Sequence, residues 1–394
     1  MTHQGLYPPR QVIGAEGILA LIRRLGCIQF DPINIAGRNP DLVLQARVKE
    51  YSPRMLADLL YRDHKLIEGL DKVASIYPVE DWPYFSRYRE RVRSRHMNRD
   101  SPEIALAHRL LEEMRSNGKD SRHQRKTGES IIWDWGRPVR LERAAWDILN
   151  AVGEVTICDR ENNRKTYDLV ERVIPGRIFN KADPNHTLEE YHDWHVLRRT
   201  GGLGLVQPGQ SDFWLGIHAM MTPERRRSIE RLVERGKLIT ARIKELPNQP
   251  FYLREADMAT LDAAGGMEST SPTAGFLPPL DNLLWDRKLL KWIFDFEYLW
   301  EIYKKPHLRQ YGYYTLPVFF GDRFIARFDP VFERKSGILR IDNWWWEEKV
   351  KPGREMQSAL RTALLDFARY LDARAIQPAA GLATSAGMRW LKGI

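Results

Sequence analysis

The sequence predicts an α+β protein built from three tandem winged helix-turn-helix domains and a C-terminal β-rich domain with a covering helix. Two observations carry this prediction. The first is a recurring order of elements, in which an amphipathic helix ends near a glycine and two short strand-like runs follow. The second is a change of composition after Gly265, where a linker-like stretch of small residues gives way to an aromatic-rich segment.

Length, charge and cysteine content narrow the class of protein. A chain of 394 residues exceeds what one hydrophobic core normally serves, so about two to four domains are expected. Lys and Arg number 61 against 52 Asp and Glu, and a net charge of +9 suits a polyanionic partner without proving one. Cys27 and Cys158 lie too far apart for a disulfide framework or a cysteine zinc site. With no signal-like start and no membrane-length apolar run, we expect a cytoplasmic protein.

The repeated pattern first occurs near the N-terminus. Apolar residues at helical spacing predict a helix over residues 15–25 that ends at Gly26. Extended runs are predicted over residues 27–30 and 42–48, with a loop between them that contains Pro32, Gly37 and Pro40.

The pattern recurs twice. The second occurrence comprises a helix and two strands, at residues 141–149, 154–158 and 165–169, after a first helix at residues 102–114. The third comprises a helix at residues 223–235 and strands at 238–243 and 251–254, joined by a Pro-Asn-Gln-Pro turn. The predicted domains are therefore residues 1–100, 101–182, 183–262 and 263–394.

Basic residues decorate the second occurrence at the positions that a DNA-binding surface requires. In a winged-helix domain the last helix enters a groove of the DNA and the wing contacts the backbone. The basic residues at the start of the helix and on the wing are Arg137, Arg140, Arg143, Arg160, Arg164 and Lys165. Exposed strand tips and helix starts are polar in most proteins, and this accounts for about half of these charges.

The C-terminal region is predicted to be a sheet covered by a helix. A hairpin is expected around Gly321-Asp322, with Arg323 and Arg327 on one face. A further strand is expected at residues 337–342, and a helix at 355–371 covers one face of the sheet. The Trp344-Trp345-Trp346 run is a candidate for base stacking, although tryptophans on strands more often belong to the core.

The most promising candidate site is a polar pair on a short apolar strand. Gln29 and Asp31 point to one face of an extended chain, while Ile28 and Phe30 pack behind them. Because Pro32 cannot continue a central ladder, the Asp31 carboxylate is expected at a strand end, facing a groove. A partly exposed strand with polar residues on its solvent side explains the same pattern and is the commoner outcome.

Other motifs carry less weight. His192 and His195 lie three apart on a predicted helix near His186, but no carboxylate or cysteine completes a metal site, so we interpret them as surface histidines. Gly201-Gly202-Leu203-Gly204 lacks the third glycine and the strand-before-helix context of a dinucleotide site. A phosphate-loop lysine motif and a nucleophile elbow are absent from the sequence. The patterns alone thus predict a nucleic-acid-binding protein with several winged helices.

Strings of residues along nearly the whole chain carry a family resemblance. The longest string is Pro279 to Arg287, and it is the most specific because its composition rarely arises by chance. The others are Gln29-Phe30-Asp31, Arg38 with residues 42–47, Tyr167-Asp168-Leu169, Glu301-Ile302-Tyr303, residues 311–317 and Gly321-Asp322-Arg323. In this order they resemble the YcaQ/AlkZ family of winged-helix bacterial DNA glycosylases.

The resemblance implies a function and a set of site residues. It implies excision of N7-alkylated purines from double-stranded DNA and, in some members, the unhooking of interstrand crosslinks. The family's Gln-apolar-Asp motif falls on Gln29 and Asp31 as catalytic residues, in a subgroup with an aromatic residue between them. One departure is Asn39, which follows Arg38 where many members have histidine. The predicted DNA-binding residues are Arg38, Asn39, Arg47, Arg140, Arg160, Arg164, Lys165, Arg287, Arg323 and Arg327.

The chemistry of such a reaction suits these residues. An N7-alkylated guanine leaves with its positive charge, so an ionised Asp31 and Gln29 need only stabilise an oxocarbenium-like sugar and place a water. We therefore predict no lyase activity and no metal or other cofactor. We also predict no membrane or protein partner, and a monomer.

The alternative is a non-catalytic winged-helix regulator or damage sensor, for which the polar pair is incidental and binding to spaced half-sites is expected. A metal-dependent nuclease is a weaker alternative, because a convincing carboxylate cluster is missing.

Overall fold

The computed structural model describes residues 1–8, 11–117, 128–133, 136–266, 272–385 and 387–392. These residues form thirteen α-helices and fourteen β-strands, which confirms the α+β class. The helices are α1 (Gly14–Leu25), α2 (Asn39–Gln45), α3 (Pro53–Ala57), α4 (Ser86–His96), α5 (Pro102–Asn117), α6 (Leu141–Val152), α7 (Val170–Val173), α8 (Gly176–Phe179), α9 (Leu188–Leu203), α10 (Thr222–Glu234), α11 (Met258–Gly265), α12 (Arg287–Phe294) and α13 (Arg354–Tyr370). The strands are β1 (Ile28–Gln29), β2 (Leu66–Leu70), β3 (Ala74–Pro78), β4 (Ser130–Trp133), β5 (Arg137–Arg140), β6 (Val155–Glu161), β7 (Arg164–Leu169), β8 (Leu238–Ile243), β9 (Leu246–Arg254), β10 (Ala274–Phe276), β11 (Leu316–Phe320), β12 (Arg323–Glu333), β13 (Ile338–Trp346) and β14 (Ala375–Pro378).

The chain folds into two compact units. Unit 1 comprises Met1–Leu56, His195–Leu215 and Met221–Ile394, and unit 2 comprises Ala57–Trp194 and Gly216–Met220. The N-terminal segment with Gln29 and Asp31 therefore belongs to the same unit as the C-terminal sheet. The predicted domain at residues 101–182 lies within unit 2 and that at 263–394 within unit 1, and the division into four domains remains a prediction.

The core of unit 1 is a five-stranded sheet covered by α13, as predicted. Its strand order is β10-β11-β12-β13-β14, antiparallel except for the parallel pair β13-β14. The β11-β12 hairpin turns at Gly321, whose φ of 61° suits glycine. Leu360, Leu364 and Phe367 of α13 share one buried cluster with the side chains of the sheet. Each such side chain contributes about 1.5–3 kcal/mol by leaving water.

The tryptophan run on β13 belongs largely to this core. Trp344 is only 8% exposed, and its ring contacts those of Phe276, Phe328 and Trp390. The preference for a core position over base stacking is therefore confirmed for Trp344.

Helix-then-hairpin order is confirmed for the second and third occurrences of the pattern. In unit 2, α6 ends at Gly153, which has the left-handed φ of 78°, and β6 and β7 form a hairpin behind it. The rings of Trp146 and Tyr167 stack between helix and hairpin at 4.8 Å. In unit 1, α10 precedes the β8-β9 hairpin, which turns at residues 244–245. The predicted Pro-Asn-Gln-Pro turn is wrong, because these residues lie within β9, beside an irregularity in the pairing.

The predicted strand over residues 42–48 is wrong, because residues 39–45 form α2. Pro40 lies in the first turn of this helix, where its missing N–H is tolerated and its fixed φ favours a helical start. All seven residues of α2 are buried, so the apolar run has no polar face. Periodicity cannot distinguish such a run from a buried strand. The hairpin of the predicted first domain lies further along the chain, where β2 pairs antiparallel with β3.

A buried ion pair joins Arg47, two residues past the end of α2, to the segment at residues 279–287. The guanidinium of Arg47 donates to both carboxylate oxygens of Asp281, at 2.7 and 2.8 Å, and neither side chain is exposed. Arg47 also donates to the backbone oxygens of Gln4 and Val43 at 2.7 and 3.0 Å. The prediction that Arg47 binds DNA is therefore corrected, because its donors are used inside the protein.

We expect the substitution of either partner of this pair to destabilise the fold strongly. Arg47→Met and Asp281→Asn each leave an uncompensated buried charge, and each should lower the free energy of unfolding by about 3–5 kcal/mol. Urea unfolding followed by circular dichroism measures this. The control is Arg369→Ala, since the Arg369 side chain is 74% exposed where it pairs with Asp366, and it should cost less than about 1 kcal/mol. Equal effects of the three substitutions would contradict the role given to the buried pair.

Candidate active site

A tight turn places β1 directly after α1. Gly26 has a φ of 79°, and a Cβ atom there would lie 3.0 Å from the Cγ of Arg198. The guanidinium of Arg198 donates to the carbonyl oxygen of Gly26 at 2.7 Å. The chain therefore leaves the helix through a glycine-dependent turn and enters the strand with a fixed direction.

Two asparagine side chains hold the backbone of the strand. Asn282 Nδ2 donates to the carbonyl of Cys27 at 2.9 Å, and Asn39 Nδ2 donates to the carbonyl of Gln29 at 2.7 Å. Carbonyls two residues apart lie on the same edge of an extended chain, so the amides replace part of a strand ladder. The Oδ1 atom of Asn39 accepts from the N–H of Leu280 at 3.2 Å. We call this buried pair, Asn39 and Asn282, the asparagine clasp.

The side chain of Gln29 carries an acceptor that the protein does not use. Among the described residues no donor reaches its Oε1 atom, although that atom is buried. Buried amide oxygens are nearly always hydrogen-bonded. The Gln29 side chain is therefore positioned to accept from a ligand.

Asp31 lies two residues beyond Gln29, past the end of β1, as predicted for a carboxylate at a strand end. It is half-buried, and its Oδ1 atom accepts from the N–H of Ile33 at 2.9 Å. Burial raises the pKa of the Asp31 carboxyl above 3.8, and the hydrogen bond from Ile33 opposes this effect in part. The carboxyl is thus held in place locally and is partly withdrawn from water.

The loop that follows Asp31 is attached to the C-terminal sheet of unit 1. The carbonyl of Ile35 accepts from the N–H of Phe332 on β12 at 3.1 Å, and the amide oxygen of Asn34 accepts from the Arg334 guanidinium. Burial raises the pKa of the Tyr314 hydroxyl, and the negative charge of Asp31 raises it further. Tyr314 and β12 therefore lie near the candidate carboxylate.

Four of the ten predicted DNA-binding residues are buried, and their polar groups have partners inside the protein. Besides Asn39 and Arg47, these are Arg160, which pairs with Glu68, and Arg327, whose Nε atom is 2.7 Å from Glu347 Oε1. The Arg327 guanidinium also lies 4.1 Å from the centre of the Tyr311 ring. We correct the DNA-binding prediction for these four residues, because each is needed within its own unit.

The other six predicted residues reach the surface. Arg38, Arg287 and Arg323 belong to unit 1, and Arg140, Arg164 and Lys165 belong to unit 2. Arg38 and Lys165 are half-buried, and the Lys165 ammonium lies 3.5 Å from Asp147. Contact of these six residues with DNA remains a prediction.

The histidines on α9 are not surface residues. His192 and His195 are 4% and 1% exposed, and a ring nitrogen of His192 lies 2.9 Å from the carbonyl oxygen of His218. The earlier interpretation is wrong because the helix packs inward at these positions. In the part of the chain that the structure describes, no three His, Cys, Asp or Glu side chains gather closely enough to hold a metal ion, and no helix is long and apolar enough to cross a membrane.

Sequence reasoning missed the clasp, although it singled out both of its members for other reasons. Asn282 lies within the string at residues 279–287, and Asn39 was assigned to DNA binding. Asn282 lies between Asp281 and Leu283, a setting that gives no signal for this role. Its partner, Cys27, lies 255 residues away in the sequence, and sequence spacing cannot reveal a contact at that separation.

Comparisons with known proteins identify the family of the chain. A family model described as DNA glycosylase AlkZ-like matches residues 22–370. The chain belongs to the AlkZ-like family of DNA glycosylases. Among solved structures, the DNA glycosylase AlkZ of Streptomyces sahachiroi is similar over 96% of each chain, with a TM-score of 0.59 and 12% identity. At so low a sequence identity, the structural similarity shows a shared fold and nothing more. The family resemblance predicted from the sequence is confirmed, and with it DNA as the substrate.

We expect the loss of either member of the clasp to weaken the fold of this AlkZ-like protein. Asn39→Ala and Asn282→Ala each leave a strand carbonyl without its donor, and each should lower the free energy of unfolding by about 1–3 kcal/mol. Asn163→Ala at the exposed tip of the β6-β7 hairpin is the matched control and should leave it unchanged. Urea unfolding measures all three. If both clasp variants were as stable as Asn163→Ala, the clasp would not be holding β1.

Proposed function

We propose that this AlkZ-like protein is a monofunctional DNA glycosylase that hydrolyses the N-glycosidic bond of N7-alkylated purines. The environment of Asp31 is the observation that supports this function most directly. It is a half-buried carboxyl fixed by the Ile33 N–H, and it lies next to a strand whose Gln29 offers a free buried acceptor. Since these groups and the asparagine clasp belong to unit 1, one chain supplies the proposed site, and a monomer is sufficient.

The proposed reaction needs one carboxylate and one amide. The C1′–N9 bond breaks, and its electrons neutralise the positive charge of the N7-alkylated base, so a strong general acid is not needed. The ionised Asp31 stabilises the oxocarbenium-like sugar and accepts a proton from water as the water oxygen bonds to C1′. Gln29 Oε1 accepts a hydrogen bond from that water. The products are a free base and an abasic site.

Three finer features belong to the same proposal. Because water is the nucleophile, no Schiff base with a lysine forms and no strand is cut. The residues assigned to the reaction need no metal or organic cofactor. The same bond is broken when the N7 substituent bridges two strands, so we extend the proposal to interstrand crosslinks formed at N7.

DNA contact is proposed for the six predicted basic residues that reach the surface. They are Arg38, Arg140, Arg164, Lys165, Arg287 and Arg323. Contacts of this type with phosphates release counterions and supply affinity without reading sequence. Such affinity suits an enzyme that searches for damaged bases in any sequence.

The decisive experiment compares the wild type with Asp31→Asn on a duplex that carries a single N7-methylguanine. We expect the wild type to produce abasic sites that break only after alkali, also in the presence of EDTA. Asp31→Asn should lower the single-turnover rate constant by about 10²–10⁴-fold, because the carboxylate acts mainly in the transition state, and should leave the Kd for the duplex unchanged.

Asp262→Asn on the exposed face of α11 is the matched control and should excise like the wild type. Excision by Asp31→Asn at the wild-type rate would rule out the carboxylate. No excision by wild-type protein that still binds the duplex would support the non-catalytic alternative. Strand breaks before alkali, trapped by borohydride, would contradict the monofunctional assignment.

Excision should also depend on the protonation of Asp31. Because only the ionised carboxylate is active and burial raises its pKa, the rate constant should fall as the pH is lowered through a midpoint above 3.8. Single-turnover rates between about pH 4 and pH 8, corrected for spontaneous depurination, measure the midpoint. In Gln29→Ala the rate should be lower at every pH while the acid limb is kept, since an amide does not titrate. A rate that is constant down to the acid end of this range would contradict the role of Asp31.

A further inference from the structure

Between α12 and β11, unit 1 displays a loop whose apolar side chains face solvent. Residues 301–313, which we call the aromatic-basic loop, present Tyr303, Leu308 and Tyr313 at exposed fractions of 84%, 59% and 38%. The loop also carries Lys304, Lys305 and Arg309, against the single acidic residue Glu301. Unpaired nucleic-acid bases stack on exposed aromatic rings, and their phosphates bind to cations. The loop offers both kinds of group.

One buried carboxylate fixes both ends of this loop. Glu301 is 4% exposed, and its Oε2 atom accepts from the N–H groups of Gln310 and Tyr311, both at 2.8 Å. Its Oε1 atom accepts from the Lys304 ammonium at 2.7 Å. The Arg309 guanidinium donates to the carbonyl of Lys304 at 3.0 Å across the loop. The backbone that carries the exposed ring of Tyr303 is therefore already ordered. Little conformational entropy is lost when this loop binds a ligand.

The acidic residues that precede the loop are partly neutralised by one lysine. Asp295 and Glu297 both pair with the ammonium of Lys291, at 3.2 and 3.0 Å. Lys305 is exposed at the tip and is free to meet a phosphate.

A chain of aromatic rings leads from the loop towards the candidate active site. The ring of Tyr303 lies 6.2 Å from that of Trp300, which lies 6.0 Å from the buried ring of Tyr314. Tyr314 is the residue whose hydroxyl senses the charge of Asp31. The loop is therefore linked through ring contacts to Tyr314, which lies near the candidate carboxylate.

We propose that the aromatic-basic loop binds the substrate DNA beside the excised nucleotide, where Tyr303 stacks on a base that has lost its neighbour and Lys305 contacts a phosphate. The inference rests on the proposed function, because a nucleotide that reaches Asp31 must leave the base stack. The gap created in the duplex exposes the face of the adjacent base, and an aromatic ring is suited to cover it.

The test uses two labelled duplexes of one sequence, one intact and one with a single tetrahydrofuran abasic analogue, which has an unstacked neighbour and no base to excise. We expect the wild type to prefer the tetrahydrofuran duplex. Tyr303→Ala should raise the Kd for that duplex by about 5- to 100-fold and should largely remove the preference. Tyr303→Phe keeps the ring and should bind like the wild type. Leu261→Ala, at a position 54% exposed on α11, is the control for loss of a surface apolar group.

The contribution of charge is measured separately. Lys305→Ala should weaken binding to both duplexes and reduce the slope of log Kd against log salt concentration by about 0.9, since one phosphate contact is lost.

Three outcomes would overturn the proposal: a wild type without preference for the tetrahydrofuran duplex, wild-type binding by Tyr303→Ala, or equal losses in Tyr303→Ala and Tyr303→Phe. Binding to this analogue involves no bond cleavage, so the result is readable even if N7-methylguanine is not excised. Conversely, wild-type excision of N7-methylguanine would keep the proposed function in place if the loop made no contact.

Discussion

The arrangement of unit 1 depends on the buried ion pair between Arg47 and Asp281. Removing two charges from water costs several kcal/mol per ion, so such a pair is tolerated only where every donor and acceptor is used. Here the guanidinium is shared among Asp281 and the carbonyls of Gln4 and Val43. The pair therefore acts through geometry more than through net stability. It fixes the segment at residues 279–287 against α2, and these two elements supply the asparagine clasp that holds β1.

This arrangement explains why the string at residues 279–287 carries the family resemblance more strongly than the catalytic motif does. Its polar side chains form hydrogen bonds inside the protein. Asp281 pairs with Arg47, and Asn282 donates to the Cys27 carbonyl. Asp286 accepts from the N–H groups of Lys288 and Leu289 at the start of α12. A short strand with few ladder bonds of its own needs such support, because two residues cannot fix their own register. The string thus supports the strand that carries the candidate site, while Arg287 at its end is exposed.

Local sequence signals predicted the elements that local chemistry determines. The ends of α1 and α6 at glycines, the hairpin at Gly321-Asp322 and the covering helix α13 follow from turn chemistry and periodicity. The wrong predictions concern residues whose secondary structure or role is determined by tertiary contacts. A helix buried on every side, such as α2, has no polar face to reveal its period. A positive charge predicts a phosphate contact only while its partner is unknown, and Asp281 lies 234 residues from Arg47.

The same contacts separate the two interpretations of Gln29 and Asp31. If the pair were the solvent side of an ordinary strand, both groups would be hydrated, or would be used to hold the structure together. The clasp instead holds the backbone of the strand, through the carbonyls of Cys27 and Gln29. Gln29 keeps a buried acceptor without a protein donor, and the Asp31 carboxyl is partly desolvated, which disfavours its charged form. A buried acceptor such as Gln29 Oε1, which has lost solvation without gaining a donor, is typical of sites selected for binding or catalysis. This imbalance, more than the motif itself, favours a ligand-binding site over the solvent side of an ordinary strand.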